Sequence, residues 1–194
     1  MARFDHKHGD YQKLEAAALA VLAGYALSVR RREMTAAVFA SKAGDHLKLW
    51  HPEAASIGRV AATGGAAGIQ NVDREIGGAV AEKQIGYLHG FAEDITAGRY
   101  DGEMSFDAEP GDSSALASRA EMYGMALLGT AMAGWAGAQS KDAEINWVTE
   151  SDNPCADCEM MAAGNPYTAA TLPTTPASGD TKCLSRCRCS LEEG

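Results

Sequence analysis

The sequence predicts an α+β protein that is mainly helical, with a small β-containing C-terminal module closed by cysteine ligands. Three observations predict it. Long runs of helix formers carry apolar residues at helical spacing through the first 140 residues. A short alternating stretch, Glu144 to Glu150, has strand character. All five cysteines and most of the prolines follow it. The boundary is therefore placed near residue 141, between a helical domain, 1–140, and a Cys-rich, zinc-knuckle-like module, 141–194.

The elements follow in chain order. Asp10 can cap a helix starting at Tyr11, with Leu14, Ala18, Val21, Leu22, Tyr25 and Val29 recurring at helical spacing until Gly44 and Asp45 end the run. Residues 45–78 predict short helices joined by loops, with Gly64 and Gly65 breaking any helix there. A second helix is expected over residues 78–97, with Ile76, Val80, Tyr87, Leu88, Phe91 and Ile95 on one face. After a loop, Ser113 or Ser114 caps a third helix reaching Gln139. On that helix Ala126, Thr130, Gly134 and Ala138 repeat every fourth residue, a stripe that lets another backbone come close. The stripe is expected to pack within the protein's own core, with a partner surface as the alternative.

The charge narrows the function. A formal net charge of −9 opposes sequence-independent binding to phosphate backbones over the whole surface. Arg30, Arg31 and Arg32 form one basic run, and Lys182, Arg186 and Arg188 a second; both are expected to be solvated faces. The first ten residues show no signal-peptide pattern, and His6 and His8 are expected in a mobile N-terminus. Met122 to Ala138 is uncharged for 17 residues, but its Gly and Ala content predicts a buried helix and not a membrane span. His89 falls on the second helix. GGAAG lacks the Lys and Ser/Thr of a phosphate loop, the serines lack a nucleophile-elbow context, and Asp107, Glu109 and Asp112 lack EF-hand spacing.

The chemistry concentrates in Cys155, Cys158, Cys183, Cys187 and Cys189. Their pattern is C-x2-C, then 24 residues, then C-x3-C-x-C. A C-x2-C turn presents two thiolates to one ion, and a second pair returned by a loop completes a tetrahedron with Zn–S of about 2.3 Å. Zinc takes four ligands. Cys155, Cys158, Cys183 and Cys187 are favoured, leaving Cys189 the spare. Lys182, Arg186 and Arg188 can offset the negative charge of a tetrathiolate site and donate to its sulfurs. Disulfides are the alternative to a structural zinc ion.

A catalytic alternative uses the same first pair. Zinc nucleobase deaminases carry H-x-E followed by P-C-x-x-C. His51, Pro52 and Glu53 supply the first motif, and Pro154 with Cys155 and Cys158 the second. Here His51, Cys155 and Cys158 would hold zinc and Glu53 would move the proton. Three features oppose it. The motifs are about one hundred residues apart, the intervening chain reads as helices, and Cys183, Cys187 and Cys189 are left without a role. His51 is otherwise expected to precede a helix that begins at Pro52. A third alternative is a zinc-knuckle nucleic-acid binder acting through Lys182, Arg186 and Arg188. No catalytic residue is assigned in the favoured reading.

Residues 145–193 resemble the C-terminal region of phage head morphogenesis proteins, the minor head proteins similar to protein F of phage Mu. The resemblance is carried by Trp147, Asp152, Cys155, Cys158, Pro173, Gly179 and the closing Cys187-Arg188-Cys189-x-Leu191. Many members have His-Pro where this chain has Cys183, which implies that Cys183 replaces a ligand. The resemblance implies a structural virion component that carries out no catalysis and acts in head assembly or DNA delivery. Its expected partners are portal, major capsid or connector proteins within an oligomeric particle, with no membrane and with nucleic acid possible but not favoured.

Overall fold

The computed structural model describes residues 3–150 and 152–194. The first two residues of the polar N-terminus and Ser151 of the resembling segment lie outside the described residues. The fold is α+β: five helices form the body, and a three-stranded antiparallel sheet and a sixth helix form the C-terminal part.

Helix α1 spans Gly9–Arg30, starting two residues ahead of the expected Tyr11. It buries Leu14, Ala18, Leu22 and Val29 and leaves Val21 and Tyr25 partly covered. The long run does not continue to Gly44. It breaks at residues 31–35, where Arg32 takes a φ of 61°, and α2 then runs over Ala36–Thr63. The Thr35 hydroxyl accepts from the Val38 N–H and caps α2. Gly44 and Asp45 therefore lie inside a helix, and Gly44 is buried against Ile85. The expected short helices of residues 45–63 are one continuous helix that ends at Gly64, whose φ of 61° provides the left-handed cap.

Helix α3, Asn71–Thr96, begins seven residues earlier than the sequence suggests. Asp73 explains the start. Its carboxylate accepts from the Gln70 N–H at 2.7 Å and takes a bidentate contact from Arg59 of α2 at 2.9–3.1 Å. Arg59 also donates to the Gly68 carbonyl, so one buried ion pair pins both ends of the α2–α3 loop. Along α3, Leu88, Phe91 and Ile95 are buried as expected, but Tyr87 faces out. The third helix is two, α4 at Ala115–Met125 and α5 at Leu127–Gly137, separated only by Ala126. The Ser114 hydroxyl caps α4.

Helix α2 is the spine. The backbone of α5 presses on it at two glycines: a Cβ on Gly58 would meet the Ala131 carbonyl, and one on Gly134 would meet the Ala55 carbonyl. Gly77 lets α3 close on the His51–Pro52 backbone in the same way. The small-residue stripe of the third helix thus packs inside the core. Among the described residues, no helix is long and apolar enough to cross a membrane.

Strand β2, Ile145–Val148, and strand β3, Ser190–Glu193, pair with Trp147 opposite Leu191. The third strand, β1 at Arg3–Phe4, pairs on the far side of β3, with Phe4 also opposite Leu191. The expected mobile N-terminus is thus an ordered edge of the C-terminal sheet, and His8 stacks on Phe4 at 5.1 Å. Phe4, Trp147 and Leu191 join one continuous core with the helices.

The packing at Gly134 predicts that Gly134→Ala lowers stability by about 1–3 kcal/mol, because the added methyl has only backbone to push against. Gly78→Ala, on the open side of α3, should be neutral or stabilising by up to about 1 kcal/mol. Urea unfolding of both variants separates the two effects.

Candidate metal centre

Helix α6, Ala156–Ala163, follows directly on Cys155, which occupies its cap position. Cys155 and Cys158 therefore flank one helical turn and present both sulfurs on the same side. Cys183 and Cys187 flank a second short turn, the 3-10 segment Leu184–Arg186, and Cys189 enters β3. A C-terminal strand, a turn and a short helix thus deliver all five sulfurs to one place.

The sulfurs form a connected chain. Cys155 to Cys183 is 3.2 Å, Cys183 to Cys158 is 3.4 Å, and Cys158 to Cys187 is 3.6 Å. A tetrahedron with metal–sulfur bonds of about 2.3 Å has edges of about 3.8 Å. The five cysteines are free thiols, and their spacing approaches that edge length, well above the roughly 2.05 Å of a disulfide. Two triplets have mutual sulfur distances within 4.8 Å: Cys155, Cys158 and Cys183, and Cys158, Cys187 and Cys189. Cys158 belongs to both. This cluster could hold a metal ion.

Hydrogen bonding within the cluster divides the thiols. Burial pushes Cys155 up, but hydrogen bonds from the Cys158 and Cys183 backbone N–H groups and thiols outweigh it and bring it down to about 7. Burial raises Cys158, and so do the bonds it donates to Cys155 and Cys183. Cys183 is raised by burial and by its bond to Cys155, and Cys187 by its bond to Cys189 and by burial. The cluster thus holds protons between sulfurs that a thiophilic cation would replace. Cys158, Cys187 and Cys189 are buried, so such an ion would be closed off from solvent on that side.

The surroundings differ from expectation in one respect. Among the described residues, the side chains of Lys182, Arg186 and Arg188 make no hydrogen bond to sulfur; all three are exposed. The Lys182 backbone N–H donates to Asp157 at 2.8 Å, tying the returning loop to α6 between the first two cysteines. Two residues that sequence reasoning missed attach α6 to the sheet. The Asn165 side chain accepts from the Trp147 N–H and donates to its carbonyl, closing the outer edge of β2. Tyr167 pairs with Ile145 through both backbone groups. An Asn eighteen residues from a strand gives no local signal of this contact.

The basic run of the helical body also has a local role. Arg30 donates to the Glu103 carbonyl and Arg31 to that of Ala108, and they pair with Asp112 and Glu109. Arg30 and Arg31 thus hold the acidic loop, while Arg32, the third of the run, is exposed as expected.

His51 is not brought to the cysteines. It is fully buried within α2, not in a loop ahead of a helix, and its Nδ1 lies 2.7 Å from the Thr130 hydroxyl of α5. Neither triplet includes it, and Glu53 is exposed. Pro52 is likewise an interior helical residue; the close approach of Gly77 packs α3 against it.

No protein-family model, curated protein or solved structure matches this chain.

Burial lowers His51 to about 4 from an ordinary 6.5. Between those values the unfolded chain binds the extra proton and the folded one does not, so stability must fall as pH drops through that window. The drop from pH 7 to pH 4.5 should be smaller in His51→Leu than in the parent chain by about 2–3 kcal/mol, read by urea unfolding at each pH.

Proposed function

We propose that the protein is a structural component of a phage head, a minor head protein whose C-terminal module is stapled by one zinc ion. The observation that supports this most directly is the closed, all-cysteine cluster beside the shared core. It provides sulfur ligands only, and soft thiolates suit Zn²⁺. The proposed ligand set is Cys155, Cys158, Cys183 and Cys187, joined in series by sulfur contacts of 3.2, 3.4 and 3.6 Å, while Cys187 also groups with Cys158 and Cys189. The residues carrying the resemblance to minor head proteins fall on this same structure. Trp147 and Leu191 are cross-strand partners, and Cys155, Cys158, Cys187 and Cys189 line the cluster.

The ion, when bound, supplies cross-linking and no reaction. The chain's own residues do the rest: Asp157 anchors the returning loop, Asn165 closes the sheet edge, and the short turns aim the sulfurs. The function proposed is mechanical, holding a small surface in a fixed shape for assembly with portal, major capsid or connector subunits in the virion.

Two measurements test this reading. Protein purified under reducing conditions should carry about one zinc per chain, and Cys158→Ser should lose it while Cys189→Ser keeps it. Mass spectrometry of purified phage particles from the strain that encodes the chain should find it at low copy. A metal-free chain contradicts the zinc staple, and absence from intact particles contradicts the head assignment.

A further inference from the structure

We propose that the five cysteines also form a two-ion site for soft monovalent cations, Cu(I) being the ion of this class. Cys158 bridges one ion held with Cys155 and Cys183 and a second held with Cys187 and Cys189. This deepens the metal-centre reading above and rests on it for the five cysteines acting together as ligands.

The grouping of the sulfurs carries the proposal. A four-sulfur zinc site needs four sulfurs mutually close, since each edge of its tetrahedron is about 3.8 Å. The cysteines gather in two groups of three, each with mutual sulfur distances within 4.8 Å. Holding zinc in the set proposed above requires Cys187 to move toward the outer pair, Cys155 and Cys183, and leaves Cys189 unused. Three sulfurs around one ion at bonds of about 2.3 Å stand about 4.0 Å apart, so each group can close on an ion of its own. Cys158 belongs to both groups and touches a member of each, Cys183 at 3.4 Å and Cys187 at 3.6 Å. A thiolate sulfur has lone pairs enough to bind two ions at once.

The ligands select the ion. Neither group includes a His, Asp or Glu. Thiolate alone favours soft cations, and Cu(I) accepts three sulfurs in a plane. Zinc takes four ligands, so two zinc ions on five sulfurs would each be a ligand short. Water is poorly placed to make up the number at the inner group, where Cys158, Cys187 and Cys189 are all buried. Two monovalent ions offset part of the charge on five thiolates. Lys182, Arg186 and Arg188 each directly precede one of the last three cysteines and offset more of it. The buried Thr181 hydroxyl lies 3.6 Å from the Cys183 sulfur and can donate to it once that sulfur is a thiolate. Binding releases the thiol protons to solvent. Cys155 and Cys183 are partly exposed, so an ion enters at the outer group and the shared Cys158 passes it inward.

The test uses the full chain, purified under reducing conditions, with its zinc content measured first. Cu(I) is then added as its acetonitrile complex without oxygen. Native mass spectrometry counts the bound copper, and X-ray absorption at the copper edge reads its neighbours. Two copper ions per chain are expected, displacing zinc, each with three sulfurs and with a copper–copper signal from the shared Cys158. Cys189→Ser leaves the outer group whole, so it should bind one ion and lose the copper–copper signal, with circular dichroism reporting its fold. Cys155→Ser, at the partly exposed edge, leaves the inner group whole and should also bind one, which gives the same reading if Cys189→Ser does not fold. Saturation of the parent chain below two ions, two ions without a copper–copper signal, or two ions in either folded variant overturns the shared site. A zinc-loaded chain that takes up a single copper ion overturns this proposal and leaves the zinc staple standing. A chain isolated without zinc that takes up two bridged copper ions does the reverse.

Discussion

Five cysteine sulfurs, gathered in two triplets that share Cys158, are the constraint on which the C-terminal part of this protein depends. Between β2 and β3 the chain has one short helix, several turns and few large apolar side chains. Such a segment buries too little to offset its own ordering entropy. The cluster supplies the missing fixed point. It joins the first turn of α6 to the turn before β3, and through β3 it reaches both other strands. A zinc ion there can contribute roughly 10 kcal/mol, more than the local packing can. Cys158, Cys187 and Cys189 also belong to the continuous core, so an ion held there would fasten the module to the helical body as well as to itself.

The helical body rests on a different principle. At three points its helices meet backbone against backbone, made possible where Gly58, Gly77 and Gly134 remove the side chain. Close approach without large side chains explains a core built so heavily on alanine. It also explains why a fully buried His51 is acceptable: Thr130 of the facing helix supplies one hydrogen bond, and desolvation keeps the ring neutral.

The cysteine spacing and the fourfold stripe were legible because each repeats on the scale of a single turn. The break after Arg30 was not. The run RRREMT holds no Gly or Pro, and the chain turns there because Arg30 and Arg31 bond to carbonyls more than seventy residues away. Gly44, Asp45 and Pro52 read locally as helix ends, yet tertiary packing carries α2 straight through them. In the same way, β1 could not be read from Arg3 and Phe4 alone, since its partner strand lies at the other end of the chain. At the candidate site, the cysteines that come together were visible in sequence. Asn165 and the triplet that includes Cys189 were set by long-range folding. So was the exposed position of Lys182, Arg186 and Arg188 away from the sulfurs.

A single ion among these sulfurs would hold the module in shape. X-ray absorption at the zinc edge reads that directly. A zinc staple gives four sulfur neighbours at about 2.3 Å with no nitrogen or oxygen, unchanged in Cys189→Ser. A shell containing nitrogen or oxygen, or one that loses a sulfur in Cys189→Ser, would contradict it.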